Sequence, residues 1–245
     1  NIIMSKTKKN ITSSTQIRPA GPNEFDRGYI TGCDKNTEWQ LPWFVGNFKE
    51  HMPNAKLSLA DFGMTDKMME WAHGTGDFHS IGQMKRDNLP SGWFLKPGAM
   101  LGTPYKEVCW LDTDCEVCGD LDDMWQYVEN NKIAMVVDRP WTKRNVYGLE
   151  QDMHNSGVVA FRNKPHILRM WAEQIMLQPE RGDQETLHKM LNPITMMAHI
   201  TELPNKYNYL RIQFDDGDNV EDKRVVHWTG RKGDEHIRMM MKDVG

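Results

Sequence analysis

Cysteine is scarce: four residues, Cys33, Cys109, Cys115 and Cys118, in a chain of 245. That is too few for a disulfide scaffold, and a chain this long buries a sizeable core without staples, so reduced thiols are the default. Cys115 and Cys118 form one C-x-x-C, but no second pair at zinc-ligand spacing accompanies it. No apolar run approaches the roughly 20 residues that span a bilayer, and the polar N-terminus lacks the apolar core of a signal peptide. The expectation is a soluble, cytoplasmic protein with no transmembrane segment. Positive charge is not in excess either: 30 Lys and Arg face 34 Asp and Glu, for a net charge of -4. This excludes the global basic field of a nucleic-acid or anionic-membrane binder. There is no internal repeat. Low complexity is confined to residues 1–24, rich in Lys, Thr, Ser and Asn, which read as a flexible N-terminal arm.

Tryptophan and methionine are plentiful, at nine and 18 residues. Methionine fills irregular core gaps, whereas tryptophan can also wall a sugar or base ring. After the arm, strand and helix signals alternate. Gly28–Cys33 reads as a strand, followed by a helix in which Pro42 suits the first turn and Phe44, Phe48 and Met52 recur at helical spacing. Lys56–Ala60 is a second strand, and Thr65 or Asp66 can cap the helix that carries Met68, Met69 and Trp71. Further on come a short helix from Pro97 to about Tyr105 and strands at 108–112 and 133–137. Leu121, Met124, Trp125 and Val128 lie on one helical face. A strand at Gly157–Phe161, helices at about 165–177 and 184–191, and a strand at Arg224–Trp228 complete the pattern. Such alternation predicts an α/β domain over 25–245, with a Rossmann-like, mixed, mainly parallel sheet flanked by helices. About 25–118 would form a nucleotide-binding half and about 119–245 an acceptor half.

The chemistry begins where the apolar run Val108-Cys109-Trp110-Leu111 stops at Asp112-Thr113-Asp114. A buried strand there delivers two hard oxygen ligands to its carboxyl edge, where ligands bind in open α/β sheets. On a regular strand, Asp112 and Asp114 face the same side and reach one divalent cation together. His154-Asn155-Ser156 precedes a strand and sits at an edge. Asp183-Gln184 follows Gly182 at a helix start, near the positive end of a helix dipole. His227 ends a strand and leads into Gly230, Arg231 and Lys232, an imidazole followed by two cations suited to phosphate. The cluster Arg139, Trp141, Lys143 and Arg144 within 138–151 reads either as a solvated loop, the slightly favoured reading, or as a surface suited to a polar or anionic acceptor.

The order Tyr29-Ile30-Thr31-Gly32-Cys33-Asp34, Leu111-Asp112-Thr113-Asp114, Asn155-Ser156-Gly157, Asp183-Gln184 and His227-Trp228-Thr229-Gly230 resembles GT-A-fold glycosyltransferases. It is most similar to the glycogenin-like enzymes and bacterial lipopolysaccharide galactosyltransferases, over about residues 28–240. The resemblance implies that Asp112, Asp114 and His227 bind manganese or magnesium, which holds the diphosphate of a nucleotide sugar, usually UDP-linked. It also implies donor contacts from Thr31, Gly32, Cys33, Asp34, Lys96, Asp112, Thr113, Asn155, Ser156 and Gly230, and from Arg231 or Lys232. Asp183 and Gln184 fall at the reaction centre. The pattern departs at its end, where Gly233 occupies the position of the family's lysine and Lys232 comes one residue early.

The implied reaction is metal-dependent transfer of a sugar to a hydroxyl of a carbohydrate or glycoconjugate acceptor. Asp183 would be the general base if the reaction inverts. If it retains, Asp183 and Gln184 would steady a cationic sugar. The alternative is a non-catalytic nucleotide-sugar or glycan-binding module, suggested by the tryptophans and the altered lysine spacing. A nucleotidyltransferase lacks the Gly-rich loop and basic signature it would need near the N-terminus.

Overall fold

The computed structural model describes residues 25–84, 89, 91–138, 152–218 and 220–243. The N-terminal arm and residues 139–151, with Arg139, Trp141, Lys143 and Arg144, lie outside the described residues. Among the described residues ten strands form two sheets. The larger draws on β1 (Phe25–Cys33), β2 (Leu57–Asp61), β3 (Ser80–Gln83), β4 (Tyr105–Leu111), β6 (Ile133–Val137), β7 (His154–Arg162) and β8 (Ile200–Glu202), in the order β3-β2-β1-β4-β7-β6-β8. Every neighbouring pair is parallel except β4–β7 and β6–β7. Only β7 therefore runs against the rest. The carboxyl ends of β1, β2, β4 and β6 share one edge with the amino end of β7. Asp34, Asp61, Asp112, Asp138 and the segment His154–Ser156 all come to that edge.

The apolar run of β4 reflects a sheet covered on both faces. Cys109 and Leu111 face a core built with Tyr29, Leu57 and Leu59 and with Leu41, Phe44 and Phe48 of helix α1 (Leu41–His51). Val108 and Trp110 face the other core, with Phe161 and with Ile167, Trp171 and Ile175 of the helix His166–Leu177. The smaller sheet is β5 (Cys115–Val117), β9 (Tyr209–Leu210) and β10 (Val225–His227), in the order β5-β10-β9. The chain leaves one sheet at Leu111 and enters the other at Cys115. The intervening Asp112-Thr113-Asp114 is thus a turn closed by Cys115 N–H to Asp112 O at 3.0 Å, not the continuation of a strand.

Other boundaries shift for local reasons. The helix expected from Pro97 starts at Lys96 and stops at Leu101, and the helix around 184–191 is Asp183–Met190. The face of Leu121, Met124, Trp125 and Val128 is a 3-10 turn, Asp122–Tyr127. Its end is tied down by the Arg162 guanidinium, which donates to the carbonyls of Trp125 and Val128. Thr65 caps its helix, its hydroxyl accepting from Met68 N–H at 3.3 Å. β7 begins three residues earlier than the Gly157–Phe161 expectation, so His154, Asn155 and Ser156 belong to the sheet itself. The C-terminal helix Gly230–Asp243 and the short strands β3, β5, β8 and β9 have no counterpart in the sequence pattern read above.

Candidate active site

Register of the small sheet assembles the first cluster. β10 pairs with β5 so that His227 stands opposite Cys115, and Trp228 N–H donates to Asp114 O at 2.9 Å. His227 Nε2 thereby comes to 3.1 Å from Asp114 Oδ1 and 3.9 Å from Asp112 Oδ2. The other ring nitrogen is committed: Nδ1–H donates to Asn208 Oδ1 at 3.0 Å, and Asn208 Nδ2 donates to Asn155 Oδ1 at 3.0 Å. Gly157 completes the fit, because a Cβ there would sit 2.1 Å from His227 Cε1.

With Nδ1 carrying its proton, Nε2 offers a lone pair toward two carboxylates. Such a convergence of acceptors requires a shared cation, either a proton or a metal ion. Burial alone would lower the His227 pKa, but Asp114 outweighs it and the pKa is raised. Two hard oxygens and an imidazole oriented by its outer hydrogen bond are a donor set suited to manganese or magnesium. Cys115 also lies within reach of Asp114 and His227. Its thiol is fully buried and aimed at Gly157 O, and burial pushes its pKa well above the usual range, so it makes a poor ligand for a hard cation.

Lys96 is the second centre. It is buried, at 2% exposure, and its Nζ lies 3.0 Å from Asp112 Oδ1, 3.3 Å from Asp183 Oδ2 and 3.0 Å from Ser156 O. Burial would depress its pKa, yet Asp112 and Asp183 together raise it above the ordinary lysine value. The contact with Asp183 is an ion pair without hydrogen-bond alignment. Burial pushes the Asp183 carboxyl up, Lys96 pulls it back, Asp112 adds to the rise, and the net shift is upward. Asp112 Oδ1 also accepts from Trp110 Nε1 at 2.6 Å.

Gln184, one residue along, is held at both ends of its amide. Its Oε1 accepts from Ser156 N–H at 3.0 Å and its Nε2 donates to Asp138 Oδ2 at 2.9 Å. Lys96, Asp112, Asn155, Ser156, Asp183, Gln184 and His227 line one cleft of about 270 Å³, and Asp114 joins them through His227.

The remaining sequence-predicted positions lie elsewhere. Thr31 and Cys33 are buried within β1, the first with an unpartnered hydroxyl and the second with its thiol 3.2 Å from Met64 Sδ. Gly32 packs against Ala60 O and Phe62, and Asp34 accepts from Asn36 N–H at 2.9 Å in a local turn. Thr113 points away from the cleft and donates to Gln40 Oε1 at 2.6 Å. Gly230 opens the C-terminal helix at φ 70°. Arg231 and Lys232 are exposed on its first turn, and Arg231 pairs with Glu235. The structure does not bring these two cations to the cleft. Gly233 cannot carry a side chain in this conformation, since its Cβ would meet Trp228 O at 1.7 Å.

Sequence reasoning missed Asp138, Asn208 and His188. Asp138 was accessible in principle, because Val136-Val137-Asp138 repeats the strand-then-carboxylate pattern of Leu111-Asp112. Asn208 had no local signal. His188 braces the helix that carries Asp183 and Gln184. Its Nδ1–H donates to Gln184 O at 2.8 Å, and its Nε2 accepts from His154 N–H at 2.8 Å. The His154 ring stacks on it at 5.5 Å.

This arrangement needs neutral rings, and burial pushes both histidines from 6.5 down to about 4. Unfolded chains bind those protons first, so the contribution is complete above pH 6.5 and drains away as pH falls toward about 4. Urea denaturation should show unfolding free energy lower by about 5 kcal/mol, roughly half from each ring, at about pH 4.5 than at about pH 7.5. The slope should shrink in His188→Gln, and an unchanged slope there would contradict the assignment.

No protein-family model matches the sequence, and no curated protein sequence matches it. Solved structures do match, and they define the architecture: the chain has the mixed, mostly parallel α/β sheet of the GT-A glycosyltransferase fold. It is similar to the galactosyltransferase LgtC, solved with donor and acceptor sugar analogs, at TM-score 0.63 and 14% identity, covering 88% of this chain and 95% of that one. It is also similar to the apo glycosyltransferase GlyE of Streptococcus pneumoniae TIGR4, at TM-score 0.61 and 17% identity, covering 84% of this chain and 55% of that one. Mouse xyloside xylosyltransferase 1 matches at TM-score 0.51 and 12% identity, covering 82% and 97% of the two chains.

Proposed function

We propose that this chain is a divalent-metal-dependent glycosyltransferase. It would move a sugar from a nucleotide sugar, UDP-linked, to a hydroxyl of a carbohydrate or glycoconjugate acceptor. The observation that carries this reading is the convergence of Asp112, Asp114 and His227 beside Lys96 and Asp183, at the carboxyl edge of a GT-A sheet. Asp112, Asp114 and His227 would hold manganese or magnesium, which when bound neutralises charge building on the leaving diphosphate.

The chain's own residues do the rest. Lys96 sits between Asp112 and Asp183 and lets two carboxylates share a small buried space without mutual repulsion. Asp183, balanced by that lysine, presents negative charge to an oxocarbenium-like sugar and steadies it from one face. Gln184 spends both ends of its amide on Ser156 and Asp138, so its part is to set the spacing of the cleft walls. Arg231 and Lys232 enter no step.

The test is UDP release from a panel of UDP-sugars, with manganese and with EDTA. Manganese-dependent release is expected, with chelation lowering the rate by about a hundredfold or more. Tight UDP-sugar binding by calorimetry without turnover would instead establish the binding module, and release that ignores EDTA would overturn the metal assignment. Among the described residues no helix is long and apolar enough to cross a membrane.

A further inference from the structure

The cleft has one aromatic wall that the proposed chemistry leaves unused. Trp93 lines it and is 50% exposed. The other large exposed apolar side chains among the described residues, such as Leu177, Ile194 and Met197, do not line it. The Trp93 ring meets the Phe94 ring at 6.3 Å on one side, and half of the indole stays in water rather than in the core.

The turn that carries it is anchored in the core. Trp93 belongs to the 3-10 turn Gly92–Leu95, whose Phe94 and Leu95 are buried at 3% and 5% exposure. A Cβ on Gly92 would lie 3.0 Å from Phe62 Cβ and 3.3 Å from Asp34 Cβ, so the turn is pressed against the ends of the sheet. The segment runs directly into Lys96, which fixes the indole relative to the reaction centre. Arg181 and Glu185, which flank Asp183 in sequence, line the same cleft.

A flat apolar surface and charged side chains in one cleft match a pyranose ring. Such a ring turns C–H groups to one side and directs hydroxyls outward to groups that donate and accept hydrogen bonds. A nucleobase, by contrast, is satisfied by stacking together with amide-like groups at its edge. The buried floor of Lys96, Asp183 and Gln184 is where the donor's sugar would react, while Trp93 and Arg181 stand at the exposed mouth. The acceptor must enter through that mouth.

We infer that Trp93 is the stacking platform for the acceptor's sugar ring, with Arg181 and Glu185 the wall that reads its hydroxyls. The inference rests on the transferase reading and adds to it the class of acceptor: a glycan end presenting a pyranose ring.

The experiment uses the full chain, with Trp93→Ala and Trp93→Phe. Binding of a panel of methyl α- and β-hexopyranosides is followed by saturation-transfer NMR. KM values for the same glycosides and for the UDP-sugar are taken from UDP release. Trp93→Ala should weaken glycoside binding and raise the acceptor KM by about tenfold, with the donor KM within about twofold and Trp93→Phe near the wild type. Wild-type glycoside binding in Trp93→Ala would overturn the platform. So would a rise confined to the donor KM, which would place the nucleotide on the indole, or a wild-type chain that binds no glycoside in the panel. If the wild type binds glycosides but releases no UDP, the transferase reading fails. The platform is then judged on the binding of Trp93→Ala alone.

Discussion

Asp114→Asn is expected to remove metal-dependent sugar transfer, by about a thousandfold or more, while leaving the fold in place. The substitution changes one oxygen to an amide nitrogen at almost constant volume. The Asp114 backbone carbonyl still accepts from Trp228 N–H at 2.9 Å, so the joint between the two sheets survives. What changes is the partner of His227 Nε2, which loses the carboxylate that holds its pKa up. Manganese affinity, measured by EPR titration, should fall by about tenfold or more, and circular dichroism should be unchanged. Full activity in Asp114→Asn would remove this carboxylate from the mechanism. Lost activity with unaltered manganese affinity would mean that the residue acts on substrate instead.

Lys96→Met carries the second large effect, and here fold and function are lost together. Methionine fills much of the lysine's volume but leaves Asp112 and Asp183 without the cation that lies 3.0 and 3.3 Å from them. Breaking a buried pair from one side costs about 3–5 kcal/mol, because the remaining charge stays in a poor solvent. The pH dependence identifies the cause. The Asp183 carboxyl is already raised by burial and by Asp112, and without Lys96 it rises further. A carboxyl with a raised folded-state pKa is unfavourable while ionised, and protonation relieves it. The stability gap between Lys96→Met and wild type should therefore narrow as pH falls through the variant's Asp183 pKa. Urea denaturation across pH measures this directly, and a gap independent of pH would mean that lost packing rather than unpaired charge is responsible.

Much of the architecture is legible along the chain because it depends on local order. Alternating strand and helix signals, the run Val108–Leu111 stopping at carboxylates, and Asp183 behind Gly182 at a helix start are all near-neighbour patterns. The elements missed are those too short to show a period: β5, β8 and β9 span two or three residues each. The C-terminal helix Gly230–Asp243 is long and strongly amphipathic, so its period is present in the sequence and is passed over behind two glycines and dense charge.

Residue type and order by themselves determined an α/β chain with a carboxylate pair, a histidine and an Asp-Gln pair in a particular succession. Tertiary structure alone decided which of these meet. Asp112 and Asp114 turn out on a bend between two sheets, and His227 joins them because β10 pairs with β5 in one register, more than a hundred residues away in sequence. Asn208 and His188 enter as braces that no local pattern marks, and Asp138 as one whose strand-end position the sequence did carry. Thr31, Cys33, Arg231 and Lys232, equally plausible by type, end up in the strand core or on an outer helix turn. The physical reason is that a backbone's periodicity records which face a residue turns to the core. Meeting of two distant side chains is set by strand register and by the hydrogen bonds of a turn, and the alternation within one segment fixes which face is buried but not which distant residue stands opposite.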